Sequence, residues 1–285
     1  GAKSDNALAS DCVSCGACVQ TCPTEALTDK FETKTLIPDK TTRTTCTYCG
    51  VGCQLEVSVT DGLIQGIQAP LNAEVNAGHT CLKGRFAFQF YNHPDRLKEP
   101  LIKRNGKFEE VSWEEAYDFM YEKIREVQEK YGVNAIGGIS SARATNEENY
   151  LMQKMLRAAL HTNNIDGCAR VCHAPTAYGM QKAFGTGAAT NSIEELEGTD
   201  CVFLFGANPT EAHPVTGAKI KQLFMKGIES IVVDPVKTEL AQIAKFHLQL
   251  RPGTNVALLN MMAYYIIEAN LVNSDFIQKF TERYS

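Results

Sequence analysis

The residues whose spacing most directly implies chemistry are the cysteines. The chain has 285 residues and eleven cysteines, and eight of these lie within the first 81 residues in two groups. Eleven cysteines could indicate a disulfide-rich secreted protein, but intervals of two or three residues are typical of thiolates that bind metal. The pattern therefore predicts metal–thiolate sites and a reducing compartment, which we expect to be the cytoplasm.

The first cysteine group has the C-x2-C-x2-C-x3-C-P spacing of a bacterial ferredoxin, which wraps a 4Fe-4S cluster. Its members are Cys12, Cys15, Cys18 and Cys22. Gly16 gives the loop the freedom to turn, and four cysteines followed by Pro23 make a zinc knuckle or chance spacing a poorer interpretation. In two-cluster ferredoxins the fourth cysteine ligates the other cluster. We therefore expect a sister run before Gly1 in a longer protein.

The second cysteine group has a different spacing and can form a complete site. It consists of Cys46, Cys49, Cys53 and, after 27 intervening residues, Cys81. Between the last two, alternating residues 54–59 and 63–67 flank Asp61-Gly62, which predicts a β-hairpin. Four cysteines also suit tetrahedral zinc. The neighbouring ferredoxin-like spacing favours a second 4Fe-4S cluster.

The elements that position these groups change in character along the chain. Alternating strands and helices predict an α/β fold: small iron–sulfur domains followed by αβα domains with a mostly parallel sheet. The expected divisions are a ferredoxin-like segment (1–30), a linker (31–43), a cluster domain (44–93) and two partial αβα domains (94–167 and 168–285). Beyond the hairpin, we predict strands at 135–139, 201–205, 230–233 and 246–250, and helices at 113–130, 146–160, 214–226 and 255–270. Residues 162–192 show little periodicity.

Two segments carry a resemblance to a known family. The second cysteine group, closing with Cys81-Leu-Lys83-Gly84, resembles the N-terminal domain of the molybdopterin oxidoreductases. Arg-Val-Cys172-His173-Ala-Pro175 and the glycine-rich stretch after it are similar to the formate dehydrogenases. Taken alone, Cys172 would be a core thiol, His173 a loop histidine and Lys83 a solvated surface residue.

The resemblance implies a role for each of these residues. Cys172 would ligate molybdenum or tungsten, and His173 would be the neighbouring acid/base or electrostatic group. Lys83 would lie between cluster and pterin. The histidine distinguishes formate dehydrogenases from nitrate reductases, which usually have Met at that position. Cys168 and Cys201 match no ligand position, so we assign them to structure.

Turns after the predicted strands could bind a nucleotide, because free N–H groups and ligands gather at the carboxyl ends of parallel strands. Each residue also has a structural interpretation, as a turn residue, a strand-end cap or a helix N-cap. In the formate dehydrogenases the matching positions hold a guanine-dinucleotide pterin, two copies of which bind the metal. The candidates are Gly206, Asn208, Glu211, His213, Asp234, Gly253, Thr254 and Asn255. Ser141, Arg143, Asn146 and Gln153 also lie in a stretch similar to the family's.

By this resemblance the chain is an N-terminal fragment of a formate dehydrogenase, or CO2 reductase, catalytic subunit. Electrons would pass to a partner subunit bearing flavin and NAD, a ferredoxin or a hydrogenase module, so we expect a hetero-oligomer. The alternatives are a non-catalytic relay subunit similar to that of NADH dehydrogenase, and a nitrate reductase. A net charge of −5 gives no indication of nucleic acid. No apolar run approaches the roughly 20 residues of a membrane span.

Overall fold

The computed structural model of the chain describes residues 14–28 and 37–282. Its contacts divide the chain into two compact units, whose described parts are residues 14–28 with 37–193, and residues 194–282. The strands are β1 (Lys40–Thr45), β2 (Gln54–Thr60), β3 (Leu63–Gln68), β4 (Leu101–Arg104), β5 (Lys107–Glu110), β6 (Gly138–Ser140), β7 (Ile165–Gly167), β8 (Cys201–Phe205), β9 (Glu229–Val233) and β10 (Phe246–Leu248). The helices are α1 (Ala17–Gln20), α2 (Leu82–Phe86), α3 (Gln89–Asn92), α4 (Trp113–Tyr131), α5 (Asn146–Lys154), α6 (Ala174–Phe184), α7 (Pro209–Ala212), α8 (Pro214–Met225), α9 (Glu239–Ile243), α10 (Asn255–Glu268) and α11 (Ser274–Phe280).

The first unit begins with a three-stranded antiparallel sheet in the order β1-β2-β3. The predicted hairpin is confirmed, with Thr60 opposite Leu63 across the Asp61-Gly62 turn. Strand β1 was not predicted, and it begins at Lys40, inside the stretch assigned to a linker. Its sequence, KTTRTT, is polar but rich in threonine, a β-branched residue that favours strands. Strand β1 therefore overlaps residues 40–43 of the predicted linker.

Next in this unit come a β4–β5 hairpin and the long helix α4. The predicted N-cap of α4 is confirmed, because the Ser112 side chain accepts a hydrogen bond from the Glu115 N–H. A small core of Ile102, Val111 and Ala116 joins the hairpin to the helix.

Two short parallel strands, β6 and β7, complete the first unit. The strand predicted at 135–139 lies instead at 138–140, because residues 133–135 form a 3-10 turn. The helix predicted at 146–160 is α-helical to Lys154 and continues as a π-helical turn over 155–159. Helix α6 lies within residues 162–192, the stretch that shows little periodicity.

The second unit is built on a parallel sheet in the order β10-β9-β8. The strand and helix predictions here are confirmed, although β10 ends at Leu248 and α10 at Glu268, each two residues early. The core of this unit comprises Val202, Ile220, Leu223, Phe224, Val232, Leu240 and Ala241. The fold is therefore α/β with parallel sheets.

No helix in residues 14–28 or 37–282 is both long enough and apolar enough to cross a membrane.

Candidate functional site

Two arms of the chain bring the second cysteine group together. Cys46 follows β1 directly, and its N–H donates to the carbonyl of Cys53 at 2.8 Å, which closes the loop that carries three of the cysteines. Gly52 has a φ of +73° in this loop, a conformation that favours glycine. Cys81 arrives on the other arm as the N-cap of α2.

Helix α2 passes directly beside the first arm. A Cβ atom added at Gly84 would lie 3.6 Å from Cys46 Sγ, which is ordinary van der Waals contact. The backbone of α2 therefore lies close to the cysteine loop, and a Cβ atom at Gly84 would still fit there.

A buried amide joins the two arms. The Asn76 side chain, 2% exposed, accepts from the Gln54 N–H at 2.8 Å and donates to the carbonyls of Gln54 and His79 at 3.1 and 2.6 Å. Gln54 follows Cys53, and His79 precedes Cys81 by two residues. The sequence analysis missed Asn76, because nothing in a single sequence pairs it with Gln54.

The four thiols of this group influence one another's ionisation. Burial raises the pKa of Cys53 to about 12, with further upward contributions from the charges of Cys46, Cys49 and Cys81. Burial also raises the pKa of Cys46, with the charges of Cys81 and Cys49 acting in the same direction and the Lys83 ammonium opposing them. Thiols that oppose one another's ionisation suit a cationic partner, because a bound metal deprotonates its thiol ligands.

Within the described ranges, no three Cys, His, Asp or Glu side chains are grouped to hold a single metal ion. A four-iron cluster binds each of its four thiolates at a different iron atom. Its ligands therefore need not converge on one point, as the ligands of a zinc ion must.

The first cysteine group is described for three of its four members, since Cys12 lies outside the described residues. Gly16, with a φ of +72°, turns the chain between Cys15 and the helix that carries Cys18. The pKa of Cys22 is lowered to about 7, first by the Thr24 hydroxyl and then by backbone hydrogen bonds from Leu27, Thr24 and Ala26. Convergent donors of this kind stabilise a thiolate.

Cys172 and His173 lie at the start of helix α6, both exposed. Their N–H groups donate to the carbonyl of Ala169 at 3.2 and 3.0 Å, so a tight turn sets their direction. Pro175 stands in the first turn of the helix, where its missing N–H is not needed. No other described residue hydrogen-bonds to the side chain of Cys172 or His173, so both remain available to a ligand.

A loop before α5 connects this turn to the second cysteine group. The Arg143 guanidinium donates to the carbonyl of Tyr48, between Cys46 and Cys49, at 2.8 Å. The adjacent Ala142 N–H donates to Cys168 Sγ at 3.2 Å. Cys168 therefore has a backbone partner in this loop, and its structural role stays a prediction.

The predicted pterin-binding residues belong to the second unit. Gly206 follows β8, where its N–H donates to the Val233 carbonyl at 2.8 Å, and Asp234 follows β9. Because β8 and β9 are parallel, these two residues lie at the same edge of the sheet.

Several of these side chains already have a local partner. Asn208 Oδ1 accepts from the Thr210 hydroxyl at 2.9 Å, and Asp234 Oδ1 accepts from the Val236 N–H at 2.7 Å. The Thr254 hydroxyl donates to the Arg251 carbonyl at 2.7 Å and does not cap α10. Oδ1 of Asp234 therefore caps the end of its strand, as the structural interpretation of this residue predicts. The other carboxylate oxygen has no part in that hydrogen bond.

Three further candidates are placed by backbone position. Glu211 lies in α7, and His213 joins α7 to α8. Gly253 has a φ of +87° and stands, with Thr254 and Asn255, beyond the end of β10. Because β10 ends at Leu248, this group is further from its strand than the sequence predicted.

The sequence analysis also missed Gly217 in α8. A Cβ atom there would lie 2.6 Å from backbone atoms of Pro209 and Thr210. Only glycine lets α8 pack against the turn that carries the pterin-binding candidates.

Comparison with known families matches every part of the chain that carries a predicted site. Residues 96–280 match the molybdopterin oxidoreductase family, residues 39–93 match the molybdopterin oxidoreductase Fe4S4 domain, and residues 9–28 match a 4Fe-4S binding domain.

Curated relatives include formate dehydrogenases. The F420-dependent formate dehydrogenase subunit alpha of Methanocaldococcus jannaschii is 44% identical over 243 residues, covering 85% of this chain and 35% of the relative. Formate dehydrogenase H of Escherichia coli is 43% identical over 246 residues, covering 84% and 34%. The chain thus spans about a third of the length of these relatives.

Among solved structures, acetylene hydratase from Pelobacter acetylenicus is similar, with a TM-score of 0.66 and 25% identity. The match covers 83% of this chain and 33% of that protein.

Proposed function

The chain belongs to the molybdopterin oxidoreductase family, and we propose that it is part of a formate dehydrogenase catalytic subunit, which can also reduce CO2. One observation carries this proposal: Cys172 and His173 stand exposed and adjacent at the start of α6, in a chain whose relatives named as formate dehydrogenases are 40–44% identical over about 85% of it. Oxidation of formate to CO2 releases two electrons and one proton.

In this proposal Cys172 and His173 have separate tasks. Cys172 Sγ ligates molybdenum or tungsten, since a soft thiolate suits a metal already held by sulfur. When bound, the pterin–metal centre supplies the acceptor for two electrons. A ring nitrogen of His173 takes the proton, because an unprotonated imidazole nitrogen is a base within reach of the metal ligand next to it. The turn at Ala169 orients both residues.

The second unit supplies part of the site for a pterin dinucleotide, of which the whole protein would bind two. Gly206 and Asn208 offer backbone approach at the turn after β8, and the second carboxylate oxygen of Asp234 can accept a hydrogen bond from a guanine or ribose. Glu211, His213, Gly253, Thr254 and Asn255 are the remaining candidates, assigned by their place after strands of the same sheet.

The second cysteine group would hold a 4Fe-4S cluster, and the first group would contribute to another. Lys83, whose charge acts on Cys46, would lie between cluster and pterin and favour reduction there through its positive charge. The acceptor would be a partner subunit with a flavin and NAD, a ferredoxin or a hydrogenase module, in a cytoplasmic hetero-oligomer.

Two alternative functions predict a different cofactor content or a different substrate. A relay subunit similar to that of NADH dehydrogenase would bind clusters without a pterin, and the exposed Cys172-His173 pair gives it no support. A nitrate reductase would act on nitrate and not on formate, and the residue after Cys172 is His where those enzymes usually have Met.

The test uses the full-length protein, purified without oxygen, with a viologen dye as electron acceptor. We expect formate to reduce the dye, and metal analysis to find molybdenum or tungsten. Cys172→Ser should abolish dye reduction and leave the cluster absorbance intact, whereas Cys168→Ser is the matched control and should remain active. Full activity of Cys172→Ser would refute the ligand role, and a protein without either metal would favour the relay subunit.

A further inference from the structure

Arg85 is a buried charged residue that the sequence analysis left without a role. It is 5% exposed and lies in α2, one helical turn after Cys81. Its N–H donates to the Cys81 carbonyl at 3.1 Å. A guanidinium is seldom buried unless hydrogen bonds satisfy it, so its partners indicate what it does.

The guanidinium reaches the first cysteine group. Its Nε donates to the carbonyl of Cys15 at 2.6 Å, and Nη2 donates to Gln20 Oε1 at 3.0 Å. Its Nη1 lies 3.4 Å from the carbonyl of Ile67, at the end of β3. Arg85 therefore bonds both cysteine groups: its side chain donates to Cys15 of the first group, and its backbone N–H donates to Cys81 of the second.

Gln20 makes a second connection beside the first. Its Oε1 accepts from the Ala69 N–H at 3.0 Å, and its Nε2 donates to the Ala69 carbonyl at 2.6 Å. Ala69 is fully buried. The side-chain amide thus pairs with the backbone after β3 as a neighbouring strand would, while also accepting from Arg85.

Two further contacts join the first cysteine group to residues next to Cys81. A Cβ atom at Gly16 would lie 2.4 Å from Arg85 Cδ, so the side chain packs where only glycine leaves room. His79 Nδ1 lies 3.9 Å from Cys15 Sγ, and the His79 carbonyl is held by Asn76. The two cysteine groups therefore meet at a shared interface.

We propose that Arg85 is a positioning residue that docks the first cysteine group on helix α2 and so fixes the distance between the two bound clusters. The inference rests on the iron–sulfur part of the proposed function and is independent of formate. The forked donors of arginine suit this task, because they bond two acceptors in fixed directions. A lysine could not span the same set of partners with one ammonium.

The experiment uses the full-length protein with its clusters, reduced with dithionite. Arg85→Met and Gln20→Ala remove the two connections separately. The matched control is Arg43→Met, since Arg43 belongs to the same domain but bonds Glu56 and Asn72. One readout is the magnetic interaction, in the electron paramagnetic resonance spectrum, between the cluster of the second cysteine group and the cluster to which Cys15 belongs. The other is hydrogen exchange of residues 15–28.

We expect both variants to keep their clusters and to show a weaker magnetic interaction. Exchange in residues 15–28 should accelerate about tenfold or more, equivalent to about 1.4 kcal/mol of docking free energy. Arg43→Met should match the unaltered protein in both readouts. If Arg85→Met does not retain its clusters, Gln20→Ala decides the result alone.

The docking role would be overturned if magnetic interaction and hydrogen exchange were unchanged in Gln20→Ala and in a folded Arg85→Met. It would also be overturned if Arg43→Met weakened the magnetic interaction and accelerated exchange as much as they did. Because dithionite supplies the electrons, this result does not depend on formate oxidation. If the protein does not oxidise formate but the variants still show the predicted changes in magnetic interaction and exchange, the docking inference stands and the proposed activity is wrong.

Discussion

Replacing Asn76 by alanine tests whether one buried amide holds together the two arms of the second cysteine group. The substitution removes three hydrogen bonds, to Gln54 N, Gln54 O and His79 O. It leaves these backbone groups without their partner next to Cys53 and Cys81, where the 2% exposure of Asn76 gives water little access.

The magnitude follows from the burial of those groups. Leaving a buried polar group unsatisfied costs about 1–3 kcal/mol. Gln54 is only partly buried and His79 is exposed, so we expect about 3 kcal/mol for the three contacts together, at the low end of this range. For a unit of this size, 1 kcal/mol shifts the unfolding temperature by about 2–4 °C, which gives a fall of about 6–12 °C.

Asn92→Ala is the matched control. Asn92 makes the same type of pairing with the Ile64 N–H and carbonyl, at 3.2 and 2.7 Å. It is less buried and contacts neither cysteine arm, so its loss should cost about 1 kcal/mol. Thermal unfolding by circular dichroism compares the two variants, and cluster absorbance follows the cysteine site. If Asn76→Ala unfolds within about 2 °C of Asn92→Ala, the amide does not hold the arms together.

Two further predictions concern other parts of the chain. Gly217→Ala should destabilise the second unit by about 1–3 kcal/mol, because its Cβ would meet the Pro209 backbone. Thermal unfolding should show this loss of stability. Gly198→Ala is the control and should change little, because its Cβ would meet nothing within 4 Å. In the metal-free chain, the lowered pKa of Cys22 means that its thiolate forms as pH rises through about 7. Alkylation of Cys22 should therefore reach half its maximal rate near that pH, and Thr24→Val should move the midpoint upward; an unchanged midpoint would exclude the hydroxyl as its cause.

Local signals were enough to predict much of the fold. Ser112 followed by Glu114 and Glu115 marked the start of α4, and the apolar run at 201–205 gave β8 with correct bounds. These elements are specified by residues adjacent in sequence. Strand β1 was missed because polar threonines fit both a linker and a strand paired with β2.

Helix α6 was missed for a different reason. Its residues, APTAYGMQKAF, include no buried side chain. Small residues, a proline and a glycine weaken the helical periodicity from which a helix is normally predicted. The proline in its first turn and the left-handed Gly185 at its end are the local signals that could have identified it.

In the candidate site, too, residues close in sequence were predicted and residues distant in sequence were missed. Cysteine spacing predicts both cysteine groups, because cluster ligands on one loop are close in sequence. Asn76 and Arg85 were not predicted, since Asn76 bonds a residue 22 positions away and Arg85 one 70 positions away. A single sequence carries no signal for such pairs, and only the folded chain brings them together.

The most direct test of the proposed function is to add formate to the oxidised full-length protein under anaerobic conditions and to follow the iron–sulfur absorbance without a dye. The account predicts that formate bleaches the clusters, and that Cys172→Ser prevents this while dithionite still reduces them. Clusters that remain oxidised with formate, in a protein shown to contain molybdenum or tungsten, would contradict it.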